Sequence, residues 1–422
     1  NGPFALGPNV HLAGGFDATF ALAARDAAGN TTQLTGSTSQ EIVSVLTGGA
    51  DGTVDGLLID GGNTVLKGVD VVDGDCELRS VTVRRCTDRG IKAAVTTAVP
   101  NRRLQVVACA ITENGIDGLA VAGPIDVRLD LSRFDGNGEE GADLDDLQAP
   151  DNGAVSLHVS ACRFFGNVFE GLDVDLAAAP LATGTGSFDV RIENSRFEVN
   201  GLDGLLIDQE HEFFPGYRAT IVVRGCVCRA NRQAGLHVDA DANGTYLLER
   251  LRCTANAGDG VLVTSETNPG EVLLQASWLA GNLGHGALLA TGNKVLLASH
   301  CGFAGNQTGG IRSAVHSAAA TNCVFLRQPG PRTNTGGAGN VDADDSAAVF
   351  AAAPTTFARV ASAAGSSLGV GDGTGFDPGT SVAAGDDGNR LLVVQRAGND
   401  LVLDAAPSAF VAPGALMAYA GS

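Results

Sequence analysis

Apolar and polar residues alternate with period two along much of this chain, in short runs that end at glycine-rich corners. In Gly171-Leu172-Asp173-Val174-Asp175 and Gly235-Leu236-His237-Val238-Asp239, leucine and valine fall on one face and acid or imidazole on the other, the pattern of a strand with one buried face. Cys162-Arg163-Phe164 alternates in the same way just before a corner. The corners recur as an Asn, three variable residues and a Gly, in the pairs Asn114/Gly118, Asn137/Gly141, Asn167/Gly171, Asn200/Gly204, Asn231/Gly235, Asn256/Gly260, Asn282/Gly286 and Asn306/Gly310. Successive Asn residues lie 23 to 33 positions apart, a period that signals a solenoid. The pattern therefore predicts at least two short strands per repeat, joined at a sharp corner and stacked turn on turn as a parallel coil. The Gly is expected to supply a positive φ at the corner, and the Asn amide to satisfy buried backbone groups.

Composition agrees: among 422 residues there are 58 glycines, 5% aromatics and 44% hydrophobic residues, enough for a long core. The net charge of −20 argues against a nucleic-acid partner, because phosphate binding needs a basic face. No apolar run is long enough for a transmembrane helix and no signal peptide opens the chain. Six of the nine cysteines follow the repeat: Cys109, Cys162, Cys226 and Cys301 each stand five residues before a repeat Asn, and Cys228 and Cys253 stand three before it. Those columns otherwise hold small or apolar residues, so the thiols are expected in the core as small hydrophobes, and no zinc-type spacing is present.

The opening segment, with Val10 to Asp17, Arg25-Asp26, Thr32 to Gly36 and Asp55 to Gly62, together with the repeats, resembles the right-handed parallel β-helix proteins of the pectate-lyase-like superfamily, many of them secreted or surface-anchored bacterial proteins. The resemblance implies an all-β solenoid with an N-terminal capping region over residues 1 to 345, an extracellular or cell-surface location, and a start at Asn1 that is truncated or processed. It implies no single reaction, since one such fold serves many functions. After residue 345 the repeat ceases, and strand-like segments around Ala397-Gly398-Asn399 predict a small antiparallel β module over 346 to 422. A solenoid needs its ends covered, so capping is that module's expected role and docking to a surface its alternative.

Counting from each Asn turns the repeat into a ruler for the outward face. The sixth residue after it is Ala120, Asp143, Asp173, Leu206, His237, Leu262, Leu288 or Arg312, and the eighth is Ala122, Asp145, Asp175, Asp208, Asp239, Thr264, Ala290 or Ala314. The third is Asp117, Glu140, Glu170, Asp203, Ala234, Asp259 or His285. Carboxylates stacked one strand spacing apart repel unless one is protonated or a cation lies between them. Asp143, Asp145, Asp173, Asp175, Asp208 and Asp239 are therefore the expected metal ligands, with calcium as the cation that accepts many oxygens in loose geometry. The same turns are the long ones, with spacings of 30, 33 and 31 residues from Asn137 to Asn231. Their insertions include His211, Phe213, Phe214 and Tyr217, which are expected to wall a substrate cleft. Two functions follow. The first is a structural, adhesive or polymer-binding module that holds calcium and an extracellular polysaccharide or surface partner. The alternative is a polysaccharide lyase or glycoside hydrolase with Asp175, Asp208 and His237 as its catalytic groups.

Overall fold

The structure is a computed structural model that describes residues 4–7, 9–17, 19, 25–26, 29–36, 40–45, 52–96, 102–178, 185–209, 216–241, 243–265, 269–314, 318–326, 335–336 and 340–343, and the strands 357–364, 367–370, 381–384, 390–397, 400–403 and 416–419. The chain divides into two compact units, Asn1–Asn340 and Val341–Ser422. No helix occurs among the described residues. The first unit is a parallel β-helix in which each turn places one strand in each of three parallel sheets of 12 or 13 strands. Sheet 1 contains Ala142–Ala149, Leu172–Ala178, Leu205–Gln209 and Leu236–Asp239; sheet 2 contains Ile125–Asp130, Ala154–Ser160, Ser187–Glu193 and Arg218–Arg224; sheet 3 contains Arg133–Asp135, Arg163–Phe165, Arg196–Glu198 and Val227–Arg229.

The alternating pattern explains the core. Inward positions of all three sheets are filled by Val, Leu, Ile and Phe at near-zero exposure. They stack on their counterparts one turn away: Phe134 on Phe164 with ring centroids 4.9 Å apart, and Phe164 on Phe197 at 5.0 Å. All nine cysteines are buried thiols. Burial pushes the thiols of Cys76, Cys86, Cys109 and Cys162 up to about 12, so they are inert structural hydrophobes.

Asn is the residue on which the turns hang. The Nδ2 of each ladder Asn donates to the Oδ1 of the next, from Asn114 to Asn137 at 3.0 Å and onward to Asn282 and Asn306 at 2.9 Å. The same Oδ1 accepts the backbone N–H of the preceding Asn at 3.1–3.2 Å. One amide oxygen thus satisfies two buried donors of its neighbour.

The role expected for the repeat glycines is corrected. None of the eight has a positive φ; that conformation belongs to the residue just before each Asn, from Glu113 and Gly136 to Val199 and Gly305. The repeat position is glycine because the next turn lies against it: a Cβ on Gly204 would stand 2.6 Å from both the Asn231 amide nitrogen and the Gly235 carbonyl oxygen. Asn200→Ala leaves the buried Asn167 backbone donor without its acceptor and should cost about 1–3 kcal/mol for each donor so orphaned. Gly204→Ala should destabilise at least as much by steric conflict. Urea melts check both, and unchanged midpoints would contradict this account of the corner.

Candidate functional site

The acidic face of sheet 1 is built by the ruler, with one irregularity. Asp143 lies in register with Ala120 on one side and Asp173 on the other, and Asp175 pairs with Asp208. Between Leu144 and Leu147 the register shifts, so that Asp145 and Asp146 together oppose Asp175, a β-bulge with Asp146 at φ 53°. The bulge removes Asp145 from the expected column and leaves it exposed. Asp239 lies in register with Thr264. The cleft walls also differ from expectation. Residues 146–149 continue the sheet 1 strand as far as Ala149, and His211, Phe213 and Phe214 lie outside the described residues. Tyr217 is fully buried, its hydroxyl 3.3 Å from the Ala149 carbonyl oxygen and its ring near Phe188. It is a core residue and offers no exposed ring to a ligand.

The acids that converge are centred one column nearer the Asn corner. Ligand oxygens of Asp117, Glu140 and Asp143 all lie within 4.8 Å of one another, as do those of Glu140, Glu170 and Asp173. Glu140 joins the two groups, so five carboxylates on three consecutive turns form one continuous row. Asp143 and Asp173 were expected as metal ligands; Asp117, Glu140 and Glu170 were not. Among the described residues Asp145, Asp175, Asp208 and Asp239 belong to no such group. The third-position column already carried these acids directly before the repeat Gly, at Asp117, Glu140, Glu170, Asp203 and Asp259, but they were not counted among the expected ligands.

Part of that column is structural. The Asp203 carboxylate accepts the Ala234 backbone N–H, and Asp259 accepts that of His285, so these acids tie the corner of one turn to the next. The central row has fewer partners. Asp117 is 1% exposed and its Oδ2 accepts from Arg89 at 2.8 Å, but its Oδ1 meets no donor unless Glu140 is protonated; Asp173 Oδ1 is likewise buried without a donor. Burial, then the proximity of Asp117, pushes Glu140 up to about 9. Burial and the neighbouring acids push Asp143 to about 7 and Asp173 to about 8. Asp60 shows the contrast: burial there is outweighed by hydrogen bonds from Arg85, Gly62 and Arg84, and the pKa falls. An all-carboxylate donor set with undonated oxygens suits a hard divalent cation, and Glu140, Asp143, Glu170 and Asp173 are the residues that would hold one.

His237 adjoins the row. Its Nδ1 lies 3.3 Å from Asp203 Oδ2 and its Nε2 3.1 Å from Thr264 Oγ1. A buried carboxylate on one ring nitrogen fixes the orientation of the imidazole. An oriented imidazole thus stands beside the acids.

Fold and site together define a parallel β-helix with a carboxylate row on one sheet. The family model for a right handed beta helix region matches residues 181–325, and the solenoid is right-handed. Comparison with curated protein sequences finds no match. Among solved structures, the A-module of the Azotobacter vinelandii mannuronan C-5 epimerase AlgE4 is similar at 14% identity and TM-score 0.46, over 80% of this chain and 82% of that one. Tailspike protein 3 of bacteriophage CBA120 is similar at 12% identity and TM-score 0.40, over 76% of this chain and 52% of that one. The tailspike gp61 of Pseudomonas phage phi297 is similar at 12% identity and TM-score 0.30, over 88% and 66%.

The raised pKa values set the sign of a pH effect in the absence of a cation. Acids raised on folding contribute stability that is complete below their ordinary values of 3.8 and 4.5 and is lost as pH climbs through about 7 to 9. In chelator the melting midpoint should therefore fall between pH 5 and pH 9. Asp143→Asn with Asp173→Asn should flatten the fall. A wild-type midpoint that holds or rises across that window contradicts the assignment.

Proposed function

We propose that this is an extracellular or cell-surface β-helix protein that binds calcium in the carboxylate row and presents that face to an extracellular polysaccharide or surface partner, as a structural or adhesive module. The observation that carries the reading is the row itself: five carboxylates in two overlapping groups, with their oxygens within 4.8 Å. The pKa values of Glu140, Asp143 and Asp173, at or above neutrality, mean that their full ionisation requires a compensating cation. Calcium is preferred over magnesium because a stack of strands supplies several carboxylates in a geometry set by the fold, and calcium tolerates variable coordination whereas magnesium demands a near-ideal octahedron. A cation so held is available to bridge to acidic groups of a polymer. No described helix is long and apolar enough to cross a membrane.

The second unit is read as a small antiparallel β module. Antiparallel pairing of Phe357–Ala364 with Ser367–Val370 and with Leu416–Tyr419, and of Arg390–Ala397 with Asp400–Leu403, supports that reading.

One observation favours the second reading, a polysaccharide lyase or glycoside hydrolase. His237, oriented by Asp203, is placed to accept a proton beside the row, and the in-register Asp175 and Asp208 supply a carboxylate pair at about one strand spacing, roughly 4.8 Å. In that case Asp175 and Asp208 act as the acid and nucleophile or base and His237 as the proton acceptor.

Calcium should raise the melting midpoint at pH 8 over that in chelator, and Asp143→Asn with Asp173→Asn should remove the rise; identical curves with calcium and with chelator sink the cation site. A panel of acidic and neutral polysaccharides, followed by ultraviolet absorbance for unsaturated products and by reducing ends, should show calcium-dependent binding without turnover. Turnover that Asp175→Asn or His237→Ala abolishes would establish the enzyme in place of the module.

A further inference from the structure

Sheet 2 changes character halfway along the solenoid. Its central outward column runs through Glu77, Gln105, Arg128, His158 and Arg191, each in register with the next. At the following turn the column becomes apolar and stays so: Arg191 pairs with Val222, and Leu247, Leu273, Leu297 and Ala319 follow in register. Five polar turns are thus succeeded by five apolar ones. The corresponding column of sheet 1 has no such run, because His237 and Arg312 interrupt Leu206, Leu262 and Leu288.

These residues do not belong to the core. The strands alternate: Tyr246 and Leu248 are fully buried on either side of Leu247, and Val272 and Leu274 on either side of Leu273. Leu247, Leu273, Leu297 and Ala319 keep part of their surface in solvent. At about 4.8 Å per turn, the stripe from Val222 to Ala319 runs roughly 19 Å along the axis. The first five turns show that polar residues fit this column equally well, so the packing of the solenoid gives no reason for leucine there. A continuous apolar stripe on an outer face marks a contact surface.

We infer that the stripe is the contact between two copies of this chain, packed sheet 2 to sheet 2 about a two-fold axis parallel to the solenoid axis. An array of side chains that repeats at every strand spacing is met rung for rung by an identical array, and a two-fold presents the same surface from each copy. The flanking columns select the direction. Two residues before the stripe stand Thr220, Thr245, Glu271 and Val295; two after it stand Arg224, Glu249, Gln275 and Ser299. Arg224 and Glu249 pair within the copy at 2.8 Å, which leaves Glu271 as the remaining charge of the flanks.

With the two solenoids parallel, each leucine meets its own counterpart and opposite flanks face each other, so that Glu271 of one copy lies across from Gln275 of the other, a neutral hydrogen-bond donor. With the solenoids antiparallel about Leu273, Glu271 would face Glu271, and like charges directly opposed are unfavourable. The stripe and its flanks span roughly 19 by 13 Å, a few hundred Å² per copy and short of the roughly 800 Å² per partner of a standard interface. Association is accordingly weak and concentration-dependent. The contact is separate from the carboxylate row on sheet 1 and needs no cation.

Sedimentation of the full chain in chelator, where no cation bridges copies, should show monomer at about 5 µM and dimer by about 500 µM, as an interface of this size allows. Leu273→Gln should weaken the dimer at least tenfold and leave the thermal midpoint of the dilute monomer unchanged. Leu297→Gln repeats the test at a second rung, and Gln105 in the same column is the reason to expect both variants to fold. Under mild oxidation Leu247→Cys should join two copies through position 247, a link open only to the parallel arrangement, since the antiparallel one sets position 247 against 297. A monomer at every concentration, a dimer untouched by either glutamine substitution, or absence of the link through 247 each overturns the inference. So does a dilute midpoint lowered by both substitutions, which would show the chain covering its own stripe.

Discussion

Everything in the first unit depends on one turn lying squarely on the next. The hydrogen bonds of three parallel sheets set the spacing, but the buried Asn at the corner sets the register, since its single amide oxygen takes both the side-chain and the backbone donor of the Asn before it. That double acceptance has no slack, and a slip of one residue would orphan two donors per turn and reverse the face of every side chain. Backbone closeness at the repeat Gly follows from the same constraint.

Strict stacking places like residues over like. For Phe134, Phe164 and Phe197 this is favourable, because apolar surface is buried at every step. For carboxylates it is not, and Asp117, Glu140, Asp143, Glu170 and Asp173 are brought within reach of one another in a half-buried setting. The protein gives other buried acids local partners, Asp60 the guanidinium groups of Arg84 and Arg85, Asp203 a backbone N–H and the His237 ring. Among the described residues the central row has Arg89 alone as a cation, bonded to Asp117. Repulsion maintained where an arginine would relieve it is the physical argument for a cation. On sheet 3 the stacking acts on arginines instead, at Arg133, Arg163 and Arg196.

The solenoid was legible because its two signals, period-two alternation and the Asn repeat, depend on local spacing alone. The site was legible in part. Asp143 and Asp173 fall where counting places them, since no irregularity intervenes between their turns. Asp145 does not, because a bulge is a difference in length between two strands that no single repeat displays. Glu140 and Glu170 stand beside the corner instead of on a strand, and only the fold shows that a residue three after the Asn lies next to one six after it. Tyr217 looks like a cleft aromatic by composition, yet a long side chain near a strand start is as readily turned inward, and here it is. The glycines were assigned the wrong reason, positive φ in place of close approach, since both demands select the same residue.

The central claim is that the carboxylate row on sheet 1 is a divalent-cation site. Anomalous diffraction from crystals soaked in manganese, used as a scattering substitute for calcium, tests it most directly. The account predicts a peak bounded by Glu140, Asp143 and Asp173. Crystals with these side chains ordered and no anomalous peak among them, while manganese binds elsewhere on the molecule, would contradict it.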